Sequence, residues 1–314
     1  MTAIGRLRRA AFGIPSAQAV FSRPGFAPEA WQRFAPVARS LMEGYHASLE
    51  DPRLPALAAR LDAVDPELQG FAYEGAGMGL AALDAVAPWK RRLPAFMAGP
   101  AARHAYPAYV GVGLAFARLR RGPEAQLARL DPLLGWVTAD GYGFHEAFFR
   151  RRRYVLHRAV PTHLTEYGRR CFDQGVGRAL WFSAGARVPL VARLVDGYAP
   201  ERRADLWGGV GLAASYGGGA DERSLRDLRD RAGPHGVRLA RGAATAAWGR
   251  RQAGGSAPHT ERACRVFCGL GGAGAAHAVE EARRDLPAVS VEPPYEIWRQ
   301  RIEHALAAAA APSP

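Results

Sequence analysis

Lysine is almost missing from this chain of 314 residues: Lys90 is the only one, and the rest of its 42 basic residues are arginines. The three cysteines, Cys171, Cys264 and Cys268, are too few for a disulfide framework and set the expectation of a reducing cytoplasm. Cys264 and Cys268 share a helix face, but two thiols without a second pair do not make a zinc site, so they read as small buried hydrophobes. No stretch approaches twenty uninterrupted apolar residues, which excludes a helical membrane span. The N-terminal Ile4 to Phe12 lacks a long apolar region and an Ala-x-Ala site, so it is no secretory signal. Ser183 and Ser215 lack the Gly-x-Ser-x-Gly elbow, and no strand is expected to carry one.

The net charge of +13 invites a nucleic-acid reading. The arginines are scattered, however, with local clusters at Arg6-Leu7-Arg8-Arg9, Lys90-Arg91-Arg92 and Arg150-Arg151-Arg152-Arg153. No helix-turn-helix, zinc-finger or aromatic-bearing RNA motif accompanies them, so no specific nucleic-acid partner is expected. An acidic protein partner or membrane headgroups suit such clusters better. Ile4, Leu7 and Phe12 among the first arginines describe either a short docking segment or one that rests on an anionic membrane surface.

What the chain has in abundance is glycine. Glu74-Gly75-Ala76-Gly77-Met78-Gly79 is echoed by Gln174-Gly175-Val176-Gly177-Arg178 and, degenerately, by Cys268-Gly269-Leu270-Gly271-Gly272. A second echo links Val110-Gly111-Val112-Gly113-Leu114 to Gly208-Gly209-Val210-Gly211-Leu212. With Gly141 and Gly242 the glycine-rich segments fall at intervals of about 30 to 36 residues, the period of stacked helical pairs. Each glycine inside a helix costs roughly 1 kcal/mol relative to Ala, which close backbone approach to another helix would offset. A dinucleotide loop would need a preceding strand, whereas Asp65-Pro66-Glu67 reads as a helix start before the first copy.

The expectation is an all-α fold, a duplicated helical module forming a solenoid or a closed bundle. A basic N-terminal segment, 1–28, precedes a single domain, 29–310. That domain holds related halves at about 65–158 and 162–256 and a partial third copy at 260–285. Thr162 is expected to cap the first helix of the second half. The third glycine-rich helix is expected to run unbroken from Thr260 to Arg284, Leu286 to Pro294 to be extended, and a last helix to span Tyr295 to Ala310.

The opening Ile4-Gly5-Arg6-Leu7-Arg8-Arg9 with Phe12-Gly13-Ile14, the segment Phe71 to Asp84, Phe172 to Phe182, and Ala263-Cys264-Arg265-Val266-Phe267-Cys268-Gly269 carry a resemblance over nearly the full length. The chain resembles the bacterial UnbL-type family found in enediyne polyketide gene clusters. The resemblance implies a place beside the polyketide synthase, with partners including an integral membrane protein and a repeat-containing protein, and it brings no catalytic residues with it.

Candidate residues come from the repeats and from chemistry. Glu74 stands where the other copies have Gln174 and Cys268, among small and apolar neighbours, where desolvation would raise its pKa into the range of acid–base catalysis. The plainer reading pairs it with an arginine. Asp140 and His145 are the next catalytic candidates; with Glu146, His104, and the pairs His163–Glu166 and His277–Glu280, they raise the question of a metal. The di-iron order is reversed here and its supporting carboxylates are not evident, so no metal and no cofactor is assigned. Asp173 and Arg178 flank the second copy, where a buried pair would be structural.

Two classes of function remain. In the first, the bundle encloses an apolar polyene or polyketide between Tyr73, Tyr106, Tyr109, Trp181, Phe182 and Trp207, and Glu74 or His145 moves a proton. In the second, a non-catalytic scaffold docks an acyl carrier protein or a membrane-protein partner through its basic surface. A deep apolar cavity facing Glu74 favours the first, a filled core with an arginine-rich face the second. The expected location is the cytoplasm, with peripheral membrane association as an extension of it.

Overall fold

The computed structural model describes residues 2–287 and 290–310, and every regular element among them is helical. The chain opens with α1 (Ala3–Phe12) and α2 (Ala17–Phe21). Then come α3 (Glu29–Glu50), α4 (Leu54–Asp62), α5 (Gln69–Val86), α6 (Arg92–Ala98), α7 (Ala105–Arg118), α8 (Val137–Phe149) and α9 (Glu166–Ser183). The remainder is α10 (Val188–Asp196), α11 (Pro200–Gly217), α12 (Glu222–Ala232), α13 (Gly236–Gln252), α14 (Pro258–Cys268), α15 (Gly272–Arg283) and α16 (Pro294–Ala310).

The glycine pairs explain how these helices are arranged. Two residues along an α-helix amount to a rotation of about 200°, so the glycines of a Gly-x-Gly lie on opposite faces and bare the backbone on both. The first meets the preceding long helix and the second meets the next. A Cβ on Gly75 would fall 1.9 Å from the Leu41 carbonyl oxygen of α3, and one on Gly77 would fall 2.5 Å from the Ala108 carbonyl oxygen of α7. Gly111 and Gly113 face Glu74 and Thr138 in the same way, Gly141 and Gly143 face Val110 and Phe172, and Gly175 and Gly177 face Asp140 and Leu206. The series closes with Gly209 and Gly211 against Gln174 and Leu239. The helices touch backbone to backbone, a contact no side chain would permit.

These neighbours run parallel. Tyr73 stacks on His104 near the start of α5 and α7, while near their ends Arg121 donates to the Ala85 carbonyl. Trp136 meets Tyr167 at the start of α8 and α9, and Arg151 reaches Ser183 at their ends. Only successive neighbours run side by side in this way: the end of α13 reaches the start of α5, where Arg250 donates to Glu67 O at 3.2 Å, and Phe71 of α5 packs on Tyr216 at the end of α11. Lys90-Arg91-Arg92, Arg118 and the Arg150 to Arg153 run lie at the C-terminal ends of α5, α7 and α8, where cations complement the exposed carbonyls and the helix dipoles.

Several local expectations are corrected. Asp65 does not cap α5; its Oδ1 accepts from Glu67 N at 2.9 Å in a preceding turn, and the helix begins at Gln69. Thr165, not Thr162, caps α9, accepting from Gly168 N at 3.0 Å. The helix expected from Thr260 to Arg284 is two, because Gly269 takes φ 67° and ends α14. The segment Leu286 to Pro294 lies partly outside the described residues. Asp173 pairs with Arg202, and Arg178 with Asp140, because α9 turns the first outward to α11 and the second inward. The N-terminal segment is itself helical and packed: Gly5 abuts the Glu50 backbone, and Tyr45 Oη donates to Phe12 O at 2.6 Å.

Candidate functional site

The glycine geometry also decides which side chains face inward. The residue before each first glycine and the one after each second glycine are four apart, on one helix face. These positions are Glu74 and Met78, Val110 and Leu114, Asp140 and Phe144, Gln174 and Arg178. Half are apolar; α5, α8 and α9 contribute the polar ones.

Arg178 is central. Its Nη1 donates to Asp140 Oδ1 at 2.5 Å, its Nη2 stands 4.0 Å from Glu74 Oε2, and its guanidinium lies over the Phe144 ring. Gln174 Nε2 donates to the other Asp140 oxygen at 2.8 Å and contacts Tyr106 Oη at 3.3 Å, which in turn lies 3.2 Å from Tyr295 Oη. Arg241 donates to Gln174 Oε1 at 3.2 Å and to Glu303 at 2.5 Å. The network continues through α16, where Arg299 binds Asp205 and Glu296 bonds Arg170 at 2.8 Å. Burial alone would raise the Asp205 carboxyl, but Arg299, Arg241 and Arg170 outweigh it and hold it at about 2. Around α11, α13 and α16 the interior is thus filled with paired charges.

Around α3, α5, α8 and α9 it is not filled. An apolar cavity, offering about 60 Å³ to the centres of water molecules, is walled by Leu41, Met78, Leu114, Phe144, Phe148 and Phe182. Among the described residues its only ionisable lining groups are Glu74, His145 and Arg178. A second pocket of about 20 Å³ lies beyond, and Phe71, Glu74, Arg178 and Phe182 line both. Ile14, Ala17, Val20 and Phe21 close the first cavity beside the C-terminal ends of α7 and α8. This N-terminal strap is held by few polar contacts; Ile14 N donates to His46 Nε2 at 3.3 Å, and Arg118 to Phe12 O at 3.1 Å.

The electrostatics of the cavity are unequal. Burial raises the Glu74 carboxyl to about 7; the Arg178 cation opposes this rise and the Asp140 carboxylate adds to it. His145 is pushed below its ordinary value by burial, against the pull of Glu146, whose Oε1 lies 3.4 Å from Nδ1. The cavity therefore holds a carboxyl near its midpoint at neutral pH beside an imidazole that burial keeps uncharged. A carboxyl poised in this way can give and take a proton in an apolar space.

Glu74, His145 and Phe182 are brought to the first cavity, Tyr106 to the second, and Asp140 anchors Arg178 behind them. Tyr73, Tyr109, Trp181 and Trp207 line neither. Tyr73 Oη donates to Asp62 at 2.9 Å and its ring stacks on His104, and Tyr109 Oη accepts from Asp131 N at 3.1 Å. Trp181 Nε1 donates to Gly218 O at 3.0 Å, and Trp207 is wholly buried. His104, stacked and buried, is lowered to about 4 by burial and the Arg103 charge. Among the described residues no three His, Cys, Asp or Glu side chains cluster closely enough for a metal. No helix there is long and apolar enough to cross a membrane.

Sequence reasoning missed Arg178 as the partner of Asp140 and Glu74, the wall residues Met78, Phe144 and Phe148, and the strap. Aligning every Gly-x-Gly and reading its flanking residues would have found the first three.

No curated protein and no solved structure matches this chain. Residues 3–306 match one family over nearly the whole length: the chain belongs to the family described as Protein of unknown function (DUF1702).

Proposed function

We propose that the chain is a biosynthetic protein of enediyne-type polyketide formation, a duplicated helical module that binds and processes an apolar polyene intermediate in its interior. The observation that carries this reading is the apolar cavity lined by Glu74, His145 and Arg178 among otherwise apolar described residues. An elongated hydrocarbon suits walls of Leu, Met and Phe. Glu74 supplies or removes the proton, and Arg178 steadies the charge that forms on it. The cavity as closed admits only a few water-sized groups, so a longer occupant enters by displacing the Ile14–Phe21 strap. The resemblance of the glycine-rich segments to the enediyne-associated family supports the choice of substrate class.

A second reading, a scaffold for an acyl carrier protein or a membrane partner, is favoured by the ion-paired interior around α16 and the cations at the C-terminal helix ends. Native mass spectrometry of the protein purified from a host that makes conjugated polyenes separates the two. A retained polyene, lost in Glu74→Gln or in a strap deletion, supports the first. A bare protein that co-purifies with an acyl carrier or membrane protein moves the assignment to the second.

A further inference from the structure

Large apolar side chains left in water are few, and four of them belong to one end of the molecule. On α1, Ile4 and Leu7 are 61% and 70% exposed, while Phe12 and Gly5 turn to the protein. Just beyond α5, Val86 and Trp89 are 63% and 73% exposed. Ile4, Leu7 and Ala11 follow helical spacing, so α1 shows water a stripe that an amphipathic helix normally buries.

The two segments meet around the last turn of α7. Arg118 donates to the Phe12 carbonyl at the end of α1, and Arg121 to the Ala85 carbonyl at the end of α5. Arg8 and Arg92 are near enough for each charge to be felt by the other. Arg6, Lys90 and Arg91 are exposed, and with Arg8 they form no ion pair among the described residues; Arg9 and Arg92 are engaged by Glu50 and Asp84. The apolar stripe is thus rimmed by uncompensated cations.

We infer that α1 and the Val86–Arg92 turn form a docking surface for an anionic lipid bilayer, with Ile4, Leu7, Val86 and Trp89 inserted at headgroup depth. A protein partner would need a complementary pocket for each side chain, whereas a bilayer accepts exposed Leu, Ile and Trp beside arginine and lysine without one. The cations select anionic headgroups. In this pose the strap that covers the apolar cavity, which begins where α1 ends, lies next to the lipid.

The test is flotation of the full-length protein with vesicles of phosphatidylcholine alone and of phosphatidylcholine with phosphatidylglycerol. Binding to the anionic vesicles is expected, falling at least about tenfold in the Ile4→Ser, Leu7→Ser, Trp89→Ser triple variant. Arg6→Gln with Lys90→Gln and Arg91→Gln should lower it several-fold and reduce its salt dependence. All six positions are solvent-facing, so unfolding is not expected to confound the comparison. Hydrogen exchange on the unaltered protein gives an independent reading: vesicles should protect 3–12 and 86–92. No binding, equal binding to both vesicle types, or binding untouched by the serine variant overturns the inference, as does self-association or protein capture through the same residues without lipid.

Discussion

Replacing Glu74 by Gln should change how stability depends on pH more than it changes stability in mild acid. Burial, opposed by Arg178 and reinforced by Asp140, raises the Glu74 carboxyl to about 7, whereas a Glu in the unfolded chain titrates at about 4.3. The folded protein therefore holds this proton more tightly. The stability linked to Glu74 is fully present below the unfolded value and is lost as pH rises through the folded one. The difference between about 7 and about 4.3 corresponds to a loss of about 3.7 kcal/mol over the whole titration, an upper figure because the Arg178 side chain can move toward the new charge. Gln has nearly the same shape and no proton to lose. Urea denaturation across this range should show the Gln variant gaining on the natural protein by up to about 3 kcal/mol between about pH 5 and pH 8, which thermal melts would read as several degrees. Stability curves that stay parallel across the range would mean an ordinary, solvated carboxylate, and the proton-transfer role would fall with it.

Other outcomes rest on the packing and the charges. Gly75→Ala sets a methyl 1.9 Å from the Leu41 carbonyl oxygen and should cost more than about 3 kcal/mol in urea unfolding. Gly236→Ala, with nothing within 4 Å of the added carbon, should instead stabilise by up to about 1 kcal/mol. Arg178→Met leaves Asp140 buried with Gln174 as its remaining side-chain partner and should cost about 3–5 kcal/mol; adding Asp140→Asn should restore a large part of it, and a double variant that simply adds the two losses would deny the pair.

The fold was more legible than the site. Gly-x-Gly spacing points to close-packed helices because a glycine inside a helix costs stability that backbone contact with a neighbour offsets, but the parallel order of successive helices is not legible in it. Helix starts were less legible. The Asp65 side chain satisfies a turn and not a cap, and whether Gly269 continues a helix or takes a left-handed φ depends on where the next helix has to pack. Glu74 stood out as a carboxylate among small residues, but Arg178 did not stand out among so many arginines. Its position just after the second glycine of its copy matters only once α5 and α8 bring Glu74, Asp140 and Phe144 to it. The aromatics were the least legible: Tyr73, Tyr109 and Trp181 carry rings as bulky as those of Phe144 and Phe148, yet their polar atoms draw them to Asp62, Asp131 and Gly218.

The most direct test of the enclosed apolar site is a fluorescence titration with a linear conjugated polyene fatty acid. It would use the natural protein, a variant lacking residues 1–21, and Ala38→Trp, which fills the cavity from α3 at a buried wall position. Saturable binding at one site, stronger or faster without the strap and abolished by the tryptophan, is the predicted result. Absence of saturable binding in the strap-deleted protein, with its helix content and cooperative unfolding intact, would contradict it.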